Sequence, residues 1–541
     1  MEKKSIKWGN ILIVLFIIAA GAYAVWKSNL LPIGGNNAAT SGTVQKTQEG
    51  TEQTAAPGES ALPKPDTDRF VMGLDSWIGG TPALMALSRE YNKDYSLDFG
   101  VEFIPSDAER IEALNKGAIQ ATEISLPSYI KQLQKYPDAG AIVGITDFSR
   151  GADGIVAKSE VKDLNDMEGR RVSYVKDGTG KFILNKFLRL TGLRYQDIIP
   201  VEKEGMSEVI EALKTGDVDL IVSWSPDMNL AVKEMNSKKA DAVKLLITTK
   251  EVPNLIPTVL VVSGKALESS PEKVSAFVKT WYASAKYIIE RPDKAYEKLA
   301  ELMNENEEEY GKVALADVRD SFANIKLMPL NDNFAYFGLA GGDGGSMASI
   351  INDTVQTWKK YGDIADDGID PKKLYSAEFM KALKTEDDPE LLVSEAPEES
   401  APDSSKEFVK QDAASIDKNT EKVAKVDIPP VYYDSGKAAV KSESFAVLDQ
   451  IVDISVQFPE YYILIDAHTD SVGGDAANLK LSRDRADEVS KYLVSKGVNA
   501  NRIIARGWGE SKPVVSAEKT EADRAENRRT EFTLTRNATD G

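Results

Sequence analysis

The sequence predicts an α/β protein with two separate globular units strung on polar linkers, and three observations carry that prediction. From 70 to 384, short apolar stretches alternate with amphipathic helical patterns, as in a sheet covered by helices. A smaller strand-and-helix pattern occupies 426–541. Residues 31–69 and 385–425 are too polar to bury a core of their own. With 541 residues, of which 42% are hydrophobic and 28% charged, the chain has material for two or more cores plus linkers.

Residues 1–30 read as a cytoplasmic stub and a membrane anchor. Lys3, Lys4 and Lys7 precede an apolar run from Trp8 to Trp26, which as a helix spans roughly 28 Å, about one hydrocarbon core. Lysines on one side and tryptophans at both interfaces leave the N-terminus in the cytoplasm and send the rest of the chain into the periplasm or cell-wall space. A cleaved signal peptide is the competing reading, with Ala22-Tyr23-Ala24 as its small-residue cleavage site. The length of the apolar run favours the uncleaved single-pass anchor. Residues 31–69, rich in Gly, Asn, Ala, Thr, Ser, Gln and Pro, follow as a flexible tether.

In the middle unit, FVMGLD, VEFIPS, AIVGIT, GIVAK, RVSYV, IIPVE, VDLIVSW and TVLVVSG supply strands. Helices start at Thr81-Pro82 and Ser270-Pro271, with proline at the first helical position. Two glycine-rich helix starts, Gly79-Gly80-Thr81 after Trp77 and Asp177-Gly178-Thr179-Gly180, present free N–H groups to an anion or polar ligand, although glycines there also serve turn geometry. Residues 385–425, acidic with Ser and Pro (EDDPELLVSEAPEESAPDSS), read as a mostly solvated linker.

The order of segments DFSRGADGIVA (147–157), LNDMEGRRVSYV (164–175), Gly178-Thr179-Gly180 and GDVDLIVSWSP (216–226) resembles the solute-binding proteins of nitrate, sulfonate and thiamine-precursor transporters. The resemblance covers most of 70–384. It implies a bilobed type-II periplasmic-binding fold that closes over a small molecule, with lobe one from about 70–150 plus 255–384 and lobe two from 151–254. Strand ends and helix starts then nominate Trp77, Gly80, Thr81, Asp147, Ser149, Asp153, Thr179, Trp224 and Asp227 for the cleft. The tryptophans would stack on a flat ligand and the aspartates bind an amine. The same residues also suit plain core and capping roles. Arg150 and Lys181 are the only basic residues in these turns, so the ligand is neutral or cationic, or an anion held by helix ends.

Near the C-terminus, Tyr461 to Ala467 reads as a buried strand ending in the turn His468-Thr469-Asp470-Ser471. A helix from Asp475 follows, with Leu479, Ala486, Val489 and Leu493 at helical spacing and Gly497 as its C-terminal stop. Folding then brings Asp470 and Arg485 toward one rim, an acid for an ammonium and a guanidinium for a carboxylate, which suits a zwitterion.

The patterns HTD-x-x-G, N-x-x-LS-x-x-RA and NRR-x-E, at 468–473, 478–486 and 527–531, resemble the OmpA-like peptidoglycan-binding domain. The resemblance covers about the last 115 residues. In that family the aspartate and arginine clasp the amino-acid end of diaminopimelate in the stem peptide. Carried over, these are Asp470 and Arg485, with Thr469, Asn478 and Arg528 around them and Tyr433-Asp434 on the opening loop. Ala467 stands where the family has glycine, and Thr530 where it has valine.

A net charge of −19 argues against nucleic acid as a partner. The absence of cysteine rules out disulfides and a lipid-modified cysteine. With His468 as the only histidine, a histidine zinc site or a Cys–His catalytic pair is unsupported. No nucleophile elbow, P-loop, HExxH or telling acid pair is present, so the expectation is a binding protein without cofactor, metal or catalytic residues. It would bind peptidoglycan and a small-molecule solute, presenting occupancy to a membrane transporter or another inner-membrane protein. Two alternatives stand beside this. One is a structural envelope tether whose middle domain is a spacer or protein-docking module. The other is a stator-like subunit of an ion-driven complex, since flagellar stator B subunits resemble this layout; the lack of an acidic residue between Ile11 and Trp26 argues against it.

Overall fold

The structure, a computed structural model, describes residues 69–252, 255–340, 346–360, 362–365, 369–386, 388–393, 408, 410, 413, 416–434 and 436–537. The apolar run 8–26 and the tether up to residue 68 lie outside them. Among the described residues no helix is long and apolar enough to cross a membrane.

The chain opens with β1 (Phe70–Leu74), helix α1 (Pro82–Ser88), β2 (Phe99–Phe103), helix α2 (Asp107–Lys116), β3 (Ala121–Ser125) and the long β4 (Gly140–Ser149). It then crosses over to build β5 (Asp153–Lys158), β6 (Arg171–Val175), helix α3 (Thr179–Leu188), β7 (Ile199–Lys203), β8 (Leu220–Trp224) and β9 (Val243–Thr248). It returns as β10 (Pro257–Ser263), helix α4 (Pro271–Glu290) and β11 (Ile325–Leu327). Two sheets result, in the orders β11-β4-β10-β3-β1-β2 and β7-β6-β8-β5-β9. The apolar strand runs are buried because helices cover the sheets, and α1 and α4 start at the prolines that the sequence marks.

Two crossings join the lobes, β4 to β5 and β9 to β10. Ser149 and Thr249 bind them together: their hydroxyls lie 2.6 Å apart, and Thr249 Oγ1 also accepts from the Gly151 amide at 2.9 Å.

In the middle unit three strands escape the sequence reading. β3 is ATEIS, whose Thr122 and Glu123 are buried yet polar, so no apolar run announces it. In β9, Lys244 interrupts the run, and β11 is only three residues long.

The C-terminal domain comprises β12 (Thr420–Val426), helix α5 (Phe445–Gln457), β13 (Tyr462–His468), helix α6 (Asp475–Ser495), β14 (Ile503–Gly509) and β15 (Thr530–Asn537), in the sheet order β12-β15-β13-β14. α6 lies close on β14. A Cβ at Gly507 would come within 2.3 Å of the Arg483 amide nitrogen, so glycine is required there. β12 corrects one expectation, because the stretch read as solvated linker up to 425 supplies an edge strand paired antiparallel with β15. Val423, Ala424 and Val426 are buried, and Phe408 packs edge-on against Tyr462 at 5.0 Å. Burying two valines stabilises by about 3 kcal/mol or more. A fragment of residues 408–541 should therefore unfold in urea as a cooperative domain. One starting at 427 should lose at least that much stability, and equal midpoints would refute the structural role of β12.

This domain sits on lobe two. Lys425 exchanges two hydrogen bonds with the Asn165 side chain, at 2.8 and 3.2 Å. The Asp427 amide donates to the Leu190 carbonyl at 3.3 Å, and Arg536 pairs with Glu251 at 2.9 Å.

Candidate binding sites

Between the lobes lies a small space of about 40 Å³. Lobe one lines it with Asp75, Trp77, Asp107, Arg110, Glu123 and Thr258, and lobe two with Asp153, Thr179 and Trp224. After β1 the chain turns sharply: the Trp77 amide donates to Asp75 Oδ1 at 2.7 Å, and the Trp77 indole donates to the Asp147 carboxylate at 3.2 Å. Asp147 also accepts from Thr146 and Thr258 at 2.9 and 3.0 Å. Gly79 and Gly80 pass directly over carboxylates. A Cβ at Gly79 would lie 2.1 Å from Asp147 Oδ2, and one at Gly80 would lie 3.0 Å from Glu123 Oε1.

Polar contacts across the cleft hold the lobes together. The Ser128 and Thr179 hydroxyls are 3.1 Å apart, Ser76 donates to Asp227 at 3.3 Å, and Lys233 pairs with Asp317 at 3.2 Å. Lys181 pairs with Asp363 at 2.5 Å.

The cleft is acidic. Arg110 is fully buried and bonded to Asp75 at 2.8 Å and to Asp107. Burial disfavours its charge, but Asp75, Asp107 and Glu123 more than offset this and hold it above the ordinary arginine range. Burial pushes Glu123 well up, with the Asp75 charge adding to it, and raises Asp147 to about 6 and Asp153 to about 7. These carboxyls bind protons in the folded state at pH values where the unfolded chain has released them. Their contribution therefore favours folding in acid and is lost as pH rises from about 4 through 7. The His468 imidazole, pushed down to about 4 mainly by burial, acts oppositely, since its contribution falls as pH drops below its unfolded value. Asp153→Asn isolates the cleft effect. In urea titrations it should stabilise the protein by on the order of 2–4 kcal/mol at pH 8 and by little at pH 4. A constant difference across that range would contradict the buried-acid assignment.

Of the residues nominated from the sequence, Trp77, Asp153, Thr179 and Trp224 line this space. Asp147 stands behind Trp77, Asp227 is half-buried on Ser76, and Gly80 backs onto Glu123. Two lie elsewhere. The Thr81 hydroxyl donates to the Ile78 carbonyl at 2.7 Å and finishes the turn before α1, while Ser149 belongs to the interlobe crossing. Asp75, Asp107, Arg110 and Glu123 escaped the sequence reading. Only the Ser106 cap before Asp107 and the i,i+3 spacing of Asp107 and Arg110 hint at an ordered acid–base pair.

The second site is at the end of β13. Asp470 and Arg485 are both buried, at 8% and 4% exposure. Asp470 accepts from Arg528 at 2.6 Å and from the Val472 amide at 3.2 Å. Arg528 also bonds Glu521 at 2.5 Å. The Arg485 guanidinium lies over the Tyr433 ring, 4.6 Å from its centroid, and Nε donates to the Lys437 carbonyl at 3.1 Å. Among the described residues its outer nitrogens, the pair that meets a carboxylate, have no acceptor. Asn478 ties the Asp470 carbonyl to Glu510, at 3.3 and 2.6 Å. The Thr469 amide donates to the Gly509 carbonyl at 2.9 Å. Asp434 turns outward to Lys437 and Lys441. Thr530 gains a purpose, because its hydroxyl lies 2.8 Å from that of Tyr433 and fixes the ring under Arg485. Ala467 is fully buried within the sheet. Glu510 and the Lys437 carbonyl are additions that the sequence did not flag.

Residues 432–528 match the OmpA family, and residues 78–295 match the family described as NMT1/THI5 like. Outer membrane porin F of Pseudomonas fluorescens is 44% identical over 104 residues, which are 19% of this chain and 32% of the relative, so the chain spans about a third of that relative's length. Among solved structures, the periplasmic nitrate-binding protein NrtA from Synechocystis PCC 6803 is 12% identical with a TM-score of 0.49, covering 61% of this chain and 92% of that one. The alkanesulfonate-binding protein SsuA from Xanthomonas axonopodis pv. citri is 15% identical with a TM-score of 0.45, covering 59% and 99%. The C-terminal domain is thus OmpA-like and the middle domain NMT1/THI5-like.

Proposed function

We propose that this is a non-catalytic envelope protein that grips the diaminopimelate stem of peptidoglycan through Asp470 and Arg485 and binds a small solute between the lobes of its middle domain. The observation that carries the wall-binding half is the Arg485 guanidinium, held over Tyr433 close to the Asp470–Arg528 pair. Thr469 and Asn478 shape that rim from behind. The solute-binding half draws on the acid-lined cleft: buried carboxyls are costly to keep, and a mere spacer has no use for them.

In this reading residues 8–26 anchor the chain in the cytoplasmic membrane with its N-terminus inside, and the tether to residue 69 gives the folded part reach toward the wall. The envelope location of the porin relative supports the same compartment. Because the C-terminal domain sits on lobe two, opening or closing of the cleft moves lobe one relative to the wall-bound part. A transporter or another inner-membrane protein that touches lobe one would sense that motion.

Two assays on the full chain test the two halves. The protein should co-sediment with purified diaminopimelate-type peptidoglycan. A solute at about 100 times its dissociation constant should add about 2.7 kcal/mol to stability, visible as a thermal shift. Failure to pellet refutes the wall anchor. Pelleting with no shift from any metabolite fraction leaves a structural tether.

A further inference from the structure

We propose that the interlobe cleft takes a compact organic cation, an amine or guanidine nitrogen on a small molecule that also offers a hydrogen-bond acceptor. This rests on the solute-binding reading above and names the ligand's chemical class.

Charge comes first. Asp75, Asp107, Glu123 and Asp153 line the space against the single guanidinium of Arg110, an excess of three when every acid is ionised and of one when Glu123 and Asp153 keep the protons that burial favours. Arg110 is already engaged by Asp75 and Asp107. The N-terminus of α3 at Thr179 contributes only about half a positive charge, which does not reverse even the smaller excess. An anion would enter against it.

The unmet hydrogen bonds are independent of that count. Glu123 and Asp153 are 1% and 4% exposed, yet Glu123 Oε1 and Asp153 Oδ2 have no partner. Such buried acceptors are rare unless something donates to them. One sits on each lobe, so a cation bonded to both would hold the lobes closed, which is the differential contact a ligand needs in order to shift an opening equilibrium. The aromatic walls are divided likewise, Trp77 on lobe one and Trp224 on lobe two, with indole faces suited to a cation. Trp224 Nε1 is a buried donor without an acceptor, which calls for an oxygen or nitrogen acceptor on the same molecule. Among the described residues no three His, Cys, Asp or Glu side chains are grouped so as to hold a metal ion. The space between the closed lobes is only about 40 Å³, below the range for drug-sized ligand pockets, so the group it holds is compact.

The test uses the full chain in a thermal-shift and calorimetric titration with agmatine, with 1,4-diaminobutane, and with the cationic, neutral and anionic fractions of a metabolite extract separated by ion exchange. The expected result is stabilisation by the cationic fraction or a defined amine, weakened at least 100-fold by Glu123→Gln and by Asp153→Asn. Neither substitution should lower the melting temperature without ligand, since each removes a buried acid, so lost binding is not lost folding. Stabilisation by the anionic or neutral fraction alone, or by amines in a way indifferent to both substitutions, overturns the charge assignment and leaves the solute-binding reading intact. No stabilisation by any fraction overturns that reading and this proposal with it.

Discussion

Asp470→Ala and Arg485→Ala should each reduce affinity for a soluble diaminopimelate-containing muropeptide by roughly 10- to 150-fold, the loss of a charge-assisted hydrogen-bonded contact of about 1.5–3 kcal/mol. Neither substitution should unfold the domain. In Asp470→Ala, Arg528 keeps Glu521 as its partner. In Arg485→Ala, Tyr433 keeps its hydrogen bond to Thr530. Arg485→Lys should fall between wild type and Arg485→Ala, since an ammonium retains the charge but not the planar fork that meets a carboxylate with two parallel bonds. The ligand gives the complementary control. Amidating the diaminopimelate carboxylate should cost the wild type about what Arg485→Ala costs with the free acid, and should cost Arg485→Ala little more. Calorimetric titration reads all of these, and independent, additive losses from amidation and from Arg485→Ala would show that the two groups do not meet.

Thr530→Val separates clasp geometry from clasp charge. It restores the residue that the OmpA-like pattern has at this position and removes the hydroxyl 2.8 Å from Tyr433. Both charges survive, so any loss of affinity reports the placement of the ring beneath Arg485.

How much of this could be read from the chain alone depended on whether burial and apolarity coincided. They do in β13, where Tyr462 to Ile465 announces itself as a strand, and in α6, where Ala486, Val489 and Leu493 mark the inner face. The nearness of Asp470 and Arg485 was legible because it is local: Asp470 ends one element and Arg485 lies in the next. The cleft is different. Glu123 lies in a strand without an apolar run, and Arg110 looks like a surface residue of an amphipathic helix until the tertiary fold closes over it. No periodicity reports a buried polar side chain, because periodicity is read from apolar residues. β12 was hidden for a related reason: as an edge strand of TEKVAKV it shows lysines and a glutamate to solvent, and it follows a long acidic stretch that sets the local composition.

Arg536→Ala should produce the largest loss of stability in the region where the C-terminal domain meets lobe two. Arg536 and Glu251 are 7% exposed each, and their 2.9 Å contact is the buried ion pair of this interface. Glu251 also accepts from the Thr248 amide and hydroxyl at 2.9 and 2.7 Å, right beside the interlobe crossing, so it is held in place and cannot turn to water. Removing the cation strands that carboxylate, a change that costs about 3–5 kcal/mol when a buried pair loses one partner. Glu251→Gln should cost less, because Arg536 retains Glu421 at 3.2 Å on the more exposed side, although the single amide oxygen can accept from Arg536 or from the Thr248 amide but not from both. Replacing both residues by apolar ones of similar size, Arg536→Met with Glu251→Leu, should recover much of the loss, since neither charge then needs burying. Scanning calorimetry of the full chain reads the series. The wild type should unfold the docked domains together, and Arg536→Ala should split off a lower transition belonging to the C-terminal domain. If Glu251→Gln proved as harmful as Arg536→Ala, the interface would depend on the Glu251 charge itself rather than on avoiding an unpaired one, and the effect would point to the Thr248 crossing instead of to domain docking.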